Sequence, residues 1–289
     1  MTAHGNISTH GSRGKGKSMI HQLNLQGKDK VQVAIDRLKA FEPPEGYYLA
    51  FSGGKDSVVI KALADMAQVK YDAHYRVTSV DPPELVQFIK NSHPDVARDR
   101  PLDKDGNQIT MWNSIVRHSM PPTRIVRYCC KDLKEDGGVG RFVITGVRWA
   151  ESSKRANRGG LELAEKKSHR MENHDPDNPN QQMIHQCLTY ARKHLNPIID
   201  WTDEDVWEFI HEYNVPYCSL YDEGFTRLGC IGCPMARKER RAEQFKRYPK
   251  FKRAYIKAFE KMAKEKTKNG NDFYVGYTGE DIFNWWIEE

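Results

Sequence analysis

The sequence predicts an α/β fold built on a parallel sheet with helices on both faces, and three observations carry that expectation. Strand candidates alternate with amphipathic helical stretches at intervals suited to crossover connections. The strongest strand candidate, 141–147, holds Phe142, Val143 and Ile144 in an unbroken apolar run, as a strand covered on both faces does. A short buried strand at 47–51 opens into a glycine-rich turn, and helical periodicity resumes at once through Val58, Val59, Ala62, Leu63 and Met66.

In chain order, residues 1–28 are polar, rich in Gly, Ser and His and without periodicity, which predicts a flexible basic tail. An amphipathic helix follows over 29–41, with Val31, Val33, Ala34, Leu38 and Phe41 on one face, and runs into Pro43-Pro44. After the strand, turn and helix already described, a strand near 73–77 ends at Pro82-Pro83, and the prolines open a helix carrying Leu85, Phe88 and Ile89. Residues 159–194 are highly charged and contain the turn-rich Asp175-Pro176-Asp177-Asn178-Pro179-Asn180, the signature of a surface insertion in a nucleotide-binding domain of 29–235. Thr202-Asp203-Glu204-Asp205 supplies an N-cap and an acidic first turn for a helix bearing Val206, Trp207, Phe209 and Ile210. Residues 236–289 predict a basic helical extension packed on that domain. No internal repeat is present.

The 289 residues carry 45 Lys+Arg against 39 Asp+Glu, a net of +6, with 38% hydrophobic and 29% charged residues, which describes a well-solvated chain. No apolar run approaches the roughly 18 residues that cross a bilayer. The first residues, with Arg13, Lys15 and Lys17, lack the apolar stretch of a secretory signal, so the expectation is a cytoplasmic protein without a membrane partner. Six cysteines are too few for a disulfide scaffold, and their clustering points to metal or redox chemistry.

Ser52-Gly53-Gly54-Lys55-Asp56-Ser57 combines what a polyphosphate site needs: glycines that admit the backbone, amides at a helix N-terminus, hydroxyls and one cation. Lys55 suits phosphate neutralisation and Asp56 the placement of Mg²⁺, making these two the catalytic candidates. The hexapeptide resembles the SGGxDS pyrophosphate loop of the PP-loop ATP-pyrophosphatases. Three further segments resemble the phosphoadenylylsulfate (PAPS) reductase family in matching order: Thr78-Ser79-Val80-Asp81-Pro82-Pro83-Glu84, the stretch from Thr145 to Ser152 with Arg155, and the stretch from Asn196 to Trp207. The resemblance implies a Rossmann-like sheet with ATP or another adenine nucleotide across its C-terminal edge. It places Ser52, Gly53, Gly54, Lys55, Asp56, Ser57 and Asp81 at the nucleotide, has Gly146 admit the ligand, and turns Arg148 and Arg155 toward its anionic groups.

Cys129-Cys130 and Cys230-x-x-Cys233 lie about a hundred residues apart, and four thiolates brought together suit Zn²⁺ or an iron-sulfur cluster, with spacing favouring neither. The two segments resemble the CC…CxxC pattern of the family's [4Fe-4S] members, which implies a cluster on Cys129, Cys130, Cys230 and Cys233. The family's reductases carry a nucleophilic cysteine in a C-terminal Glu-Cys-Gly-Leu-His tail, whereas no cysteine follows Cys233 here. A reductase mechanism would then recruit Cys187 or Cys218.

The segment from Gly146 to Ser152 is more similar to DNA-phosphorothioation ATP-pyrophosphatases than to assimilatory reductases. The function this implies is adenylation of an acceptor with pyrophosphate release for sulfur transfer, served by a sulfur donor such as a cysteine desulfurase. The alternatives are a divergent sulfo-nucleotide reductase that releases sulfite with thioredoxin as reductant, and a nucleotide- or cluster-sensing module without turnover. Between Arg237 and Lys268 stand 14 Lys/Arg against 4 Asp/Glu. Phe245, Tyr248, Phe251, Tyr255, Phe259 and Met262 recur there at helical spacing, which predicts a docked helix whose basic face, Lys246, Arg247, Lys250, Arg253, Lys257, Lys261 and Lys264, suits DNA or RNA phosphates as well as plain solvation.

Overall fold

Helix α1 (Lys30–Ala40) starts where the Asp29 carboxylate accepts the Gln32 amide, and it buries Val31, Ala34, Ile35 and Leu38 along one stripe. A computed structural model describes residues 18–135, 137–165, 171–178, 190–270 and 272–288. Beyond α1 the chain forms β1 (Tyr47–Ala50), α2 (Lys55–Ala67), β2 (Tyr71–Arg76), α3 (Pro83–Ser92), β3 (Ala97–Asp99), α4 (Met111–His118) and a single turn, α5 (Tyr128–Cys130), continued by a π-helical turn over Lys131–Glu135. Four strands follow: β4 (Phe142–Ile144), β5 (Leu161–Glu165), β6 (Met171–His174) and β7 (Tyr190–Leu195). The last helices are α6 (Asp203–Glu212), α7 (Lys238–Arg247), α8 (Pro249–Lys268) and α9 (Gly279–Glu288).

The seven strands form one sheet in the order β3-β2-β1-β4-β7-β5-β6. Strands β3, β2, β1, β4 and β7 are parallel, with Tyr47 opposite Tyr71, Leu49 opposite Ile144, and Ile144 opposite Leu195. Strand β5 runs antiparallel to β7 and β6 antiparallel to β5, so the sheet is mixed and mostly parallel. The chain builds outward from β1 through β2 to β3, then returns to lay β4 on the other side of β1. The order therefore reverses between β1 and β4, and the strands' C-terminal ends at such a reversal are where open α/β sheets form their ligand crevice.

Two expectations change. The segment 159–194 is not simply a surface insertion: its described residues include β5, β6 and most of β7, and Leu161, Leu163 and Leu195 join the main core. Its charge is accommodated by pairing, since Glu162, only 1% exposed, is held by the Arg158 guanidinium. Nor are all of residues 1–28 a free tail. Ile20 is fully buried, the Met19 and Ile20 amides donate to Glu208, and the His21 ring lies between Asp29 and Glu212, which ties this stretch to α6. Residues 1–17 lie outside the described set.

A second core sits beside the sheet's. In it Ile115 of α4, Tyr128 and Cys129 of α5 and Ile231 pack with Phe245, Tyr255, Phe259, Phe283 and Trp286 of the last three helices. The C-terminal helices thus share their interior with α4 and α5.

Candidate functional site

The crevice at the strand reversal is lined by the turn between β1 and α2. Gly53 has φ +72°, and a Cβ on it would stand 2.7 Å from Leu85 Cδ1, so both the left-handed turn and the packing of α3 require glycine. Gly54 caps α2 without a side-chain bond, which leaves the helix's first amides to other partners. The Lys55 amide donates to the Tyr221 hydroxyl at 2.9 Å. Ser57 Oγ donates to the Gly54 carbonyl at 2.8 Å and accepts from Ser52 Oγ at 3.2 Å, so the two serines brace the loop from within.

The charges here form one network. Arg148, fully buried, directs Nε to Asp56 Oδ1 at 2.7 Å, Nη2 to Asp203 Oδ1 at 2.5 Å and Nη1 to the Trp201 carbonyl at 3.1 Å. Lys55 Nζ lies 3.2 Å from Asp203 Oδ1 and 3.7 Å from Asp56 Oδ2. Desolvation works against the Arg148 charge, but Asp56 and Asp203 outweigh it and hold the guanidinium protonated. Partial burial likewise pushes the Asp203 carboxyl up, and Arg148 with Lys55 brings it below the usual carboxylate range. The Lys55 side chain is only 7% exposed, whereas that of Asp203 is 62% exposed, so the network runs from the interior to the open side of the crevice.

Four residues expected at the nucleotide have the following protein surroundings. The anions that Arg148 faces within the protein are Asp56 and Asp203. A Cβ on Gly146 would lie 2.8 Å from Asp56 Cβ and 2.9 Å from the Asp56 carbonyl carbon, so the close approach it permits is that of α2. Arg155 is paired with Glu151. Asp81 is buried and accepts from the Tyr75 hydroxyl at 2.5 Å, and its charge acts on Cys230 and Lys134. Asp203 and Tyr221 were not among the candidates. Asp203 was visible in Thr202-Asp203-Glu204-Asp205, where its role as a first-turn acid hid its reach toward Lys55, while Tyr221 carries no motif.

Ile231 N donates to the Val80 carbonyl at 2.8 Å, which joins the second cysteine pair's loop to the segment between β2 and α3. Cys129 donates to Cys130, which holds Cys130 toward the thiolate and Cys129 as a thiol, the nearby Cys230 and Cys233 adding to the upward push on Cys129. Desolvation raises the Cys230 thiol to about 12. Gly232, at φ +72°, has no room for a Cβ, which would meet Phe245 Cζ at 2.5 Å. The Tyr255 hydroxyl donates to the Ile231 carbonyl at 3.0 Å, and Arg124 donates to the Pro234 and Ala236 carbonyls at 3.1 and 3.2 Å. Cys130, Cys230 and Cys233 all act on the charge of Cys129, and four thiolates are a donor set that zinc and iron-sulfur clusters take. Among the described residues no three Cys, His, Asp or Glu groups already stand in a metal-holding array.

Cys218, the described candidate for a reductase nucleophile, is fully buried in the sheet's core and its thiol is pushed up by desolvation. Cys187 lies outside the described residues. On α7 and α8 the apolar series faces inward as its spacing predicts, with Phe251 half-buried and the others buried, and the seven basic residues are exposed. Arg247 is drawn out of that face by Glu84, at 2.9 Å, and by Glu223. No helix among the described residues is long and apolar enough to cross a membrane.

A family model for the phosphoadenosine phosphosulfate reductase domain matches residues 46–236. An uncharacterized protein of Methanocaldococcus jannaschii is 28% identical over 202 residues, which cover 65% of this chain and 41% of the relative. The chain thus spans about two fifths of that relative's length. An uncharacterized 37.8 kDa protein of Escherichia phage 186 is 25% identical over 251 residues, 80% of this chain and 67% of the phage protein. The crystal structure of phosphoadenylyl-sulfate reductase from Candida auris, in complex with phosphate, aligns with a TM-score of 0.47 at 15% identity, covering 72% of this chain and 96% of that one. With the loop, the strand reversal and the family model in agreement over most of its length, this chain belongs to the phosphoadenosine phosphosulfate reductase domain family.

Proposed function

We propose that this protein binds ATP at Ser52 to Ser57, transfers AMP to an oxygen of an acceptor with release of pyrophosphate, and so prepares that acceptor for sulfur. The observation that carries the reading is Lys55, a buried ammonium held 3.2 Å from a largely exposed carboxylate, Asp203, at the mouth of a glycine loop. An incoming polyphosphate offers that ammonium a stronger anion than one carboxylate oxygen, and the exchange leaves Asp203 on the solvent side.

The acceptor oxygen attacks the α-phosphorus and the bond to the bridging oxygen of pyrophosphate breaks, so the acceptor then carries AMP as its leaving group. Lys55 and the first amides of α2 meet the charge that grows on the departing phosphates. Asp56 and Asp203 together retain carboxylate oxygens that Arg148 does not occupy, which fits a Mg²⁺ bound through one or two carboxylates and the phosphates. Mg²⁺, when bound, supplies charge neutralisation. Cys129, Cys130, Cys230 and Cys233 would hold a [4Fe-4S] cluster, with zinc the competing occupant, and the cluster supplies either a sulfur-handling centre or an organised acceptor pocket. DNA or RNA suits the exposed lysines as acceptor, and a cysteine desulfurase suits the need for a sulfur donor.

A sulfo-nucleotide reductase needs a thiolate that reaches the nucleotide, and the burial of Cys218 disfavours that reading for the described cysteines. The test is pyrophosphate release from ATP by the wild type and by Lys55→Ala. A loss of about 100-fold or more is expected, in keeping with removal of a group that stabilises developing charge. Unchanged turnover would refute the proposal.

A further inference from the structure

A groove of about 980 Å³ runs along the second half of α8, away from the phosphate loop. One wall is a stripe of lysines, Lys257, Lys261, Lys264 and Lys268, spaced three or four residues apart and so stacked on one face of the helix. The other wall is the turn ending in Val275 and Tyr277, which are 57% and 60% exposed.

The charges in this groove are unequal in availability. Glu260 binds Lys264 at 3.1 Å and accepts the Gly279 amide at 2.7 Å, and Glu265 lies 3.5 Å from Lys268. Both acids are therefore engaged, whereas Lys257 and Lys261 have no ion pair among the described residues. The aromatic wall is held rather than loose. Val275 N donates to Asp272 O at 3.0 Å, Tyr277 N donates to Tyr274 O at 3.1 Å, and the Lys266 ammonium sits 4.9 Å from the centre of the buried Tyr274 ring. A solvated lysine stripe needs no such wall, and an apolar partner would not choose the lysines. Lysines without ion pairs and an exposed phenol ring on a hydrogen-bonded turn, lining one groove, match a chain that carries phosphates on one side and flat bases on the other.

We propose that this groove binds single-stranded nucleic acid, with Lys257 and Lys261 on the phosphates and Tyr277 stacking on a base. A duplex keeps its base faces hidden and gives Tyr277 nothing to stack on. The assignment deepens the function proposed above, in that the bound strand would be the acceptor, but it stands on the groove alone.

The test is fluorescence anisotropy of labelled twelve-nucleotide DNA and RNA strands, and of the DNA duplex, with the full chain and no ATP over a range of salt. Single strands should bind at least about tenfold more tightly than duplex, and Tyr277→Ala should weaken them by about tenfold. Replacing Lys257 and Lys261 with Gln should lower the slope of log affinity against log salt by about 1.4, while Lys39→Gln with Lys90→Gln, exposed on α1 and α3, should change little. Whichever of DNA and RNA binds more tightly identifies the strand. Duplex binding as tight as single-strand binding, an unaffected Tyr277→Ala, or equal losses from both lysine pairs would overturn the assignment. Pyrophosphate release without nucleic acid is read separately, so failure of the groove and failure of the ATP reaction are distinguishable.

Discussion

Arg148 anchors the charge network beside the glycine loop. Its guanidinium is fully buried and every direction of its fork is taken, by Asp56, Asp203 and the Trp201 carbonyl. Arg148→Gln should lower unfolding free energy by about 2 kcal/mol, the scale of lost charged hydrogen bonds around a buried group, and should slow pyrophosphate release by misplacing Asp56. Urea denaturation with parallel kinetics checks both, and a stable, slow variant would instead argue for direct contact with substrate. Gly146→Ala presses a methyl against the backbone of Asp56, 2.9 Å away, and should cost about 1–3 kcal/mol of stability and displace the start of α2. Tyr221 accepts the Lys55 amide, so its own proton is free to donate into the crevice. Tyr221→Phe should raise the KM for ATP by about tenfold, and an unchanged KM would leave the hydroxyl with a structural role only.

Elements were legible in the sequence where period and cap agreed. The stretch opening with Thr202 became α6 because Thr202 Oγ1 accepts the Asp205 amide while Asp205 Oδ2 accepts the Thr202 amide, a reciprocal cap written in four letters. Strand β5 was hidden because Glu162 reads as surface when its partner Arg158 is not seen beside it, and β7 because Arg192, Lys193 and His194 stand in succession and break any apolar alternation. The same long-range pairing makes α6 sensitive to acid. Desolvation pushes the Asp205 carboxyl up, but Lys30, 2.5 Å away, and the Thr202 amide bring it below its ordinary 3.8. A carboxyl depressed by folding contributes stability that is complete above the unfolded value and is lost as pH falls through the folded one. The urea midpoint of the wild type should therefore fall between about pH 5 and pH 3 more steeply than that of Asp205→Asn, and equal slopes would remove Lys30–Asp205 from the acid response.

At the scale of the whole molecule, two cores meet at the end of β2, one beneath the nucleotide crevice and one around the cysteine pocket. The sequence made the first legible because loop, strand and helix are contiguous from 47 to 66. It showed the pieces of the second without their arrangement, since the region of α4 and α5 meets the last three helices through contacts more than a hundred residues apart, such as Trp286 Nε1 donating to the Pro122 carbonyl at 2.6 Å. Gly232→Ala drives a methyl into Phe245 at the junction of the cysteine loop and this core. If the four cysteines hold a [4Fe-4S] cluster, anaerobically purified wild type should contain about four iron and four sulfide per chain, and Gly232→Ala markedly less. Zinc in place of iron would remove the cluster from the account.

The most direct test of the central claim is the release of pyrophosphate from ATP by the wild type and Lys55→Ala, measured with the transfer of labelled AMP to single-stranded DNA or RNA. The account predicts one AMP transferred for each pyrophosphate released and loss of both in the variant. Pyrophosphate release that persists without Lys55, or a wild type that binds ATP and releases none, would contradict it.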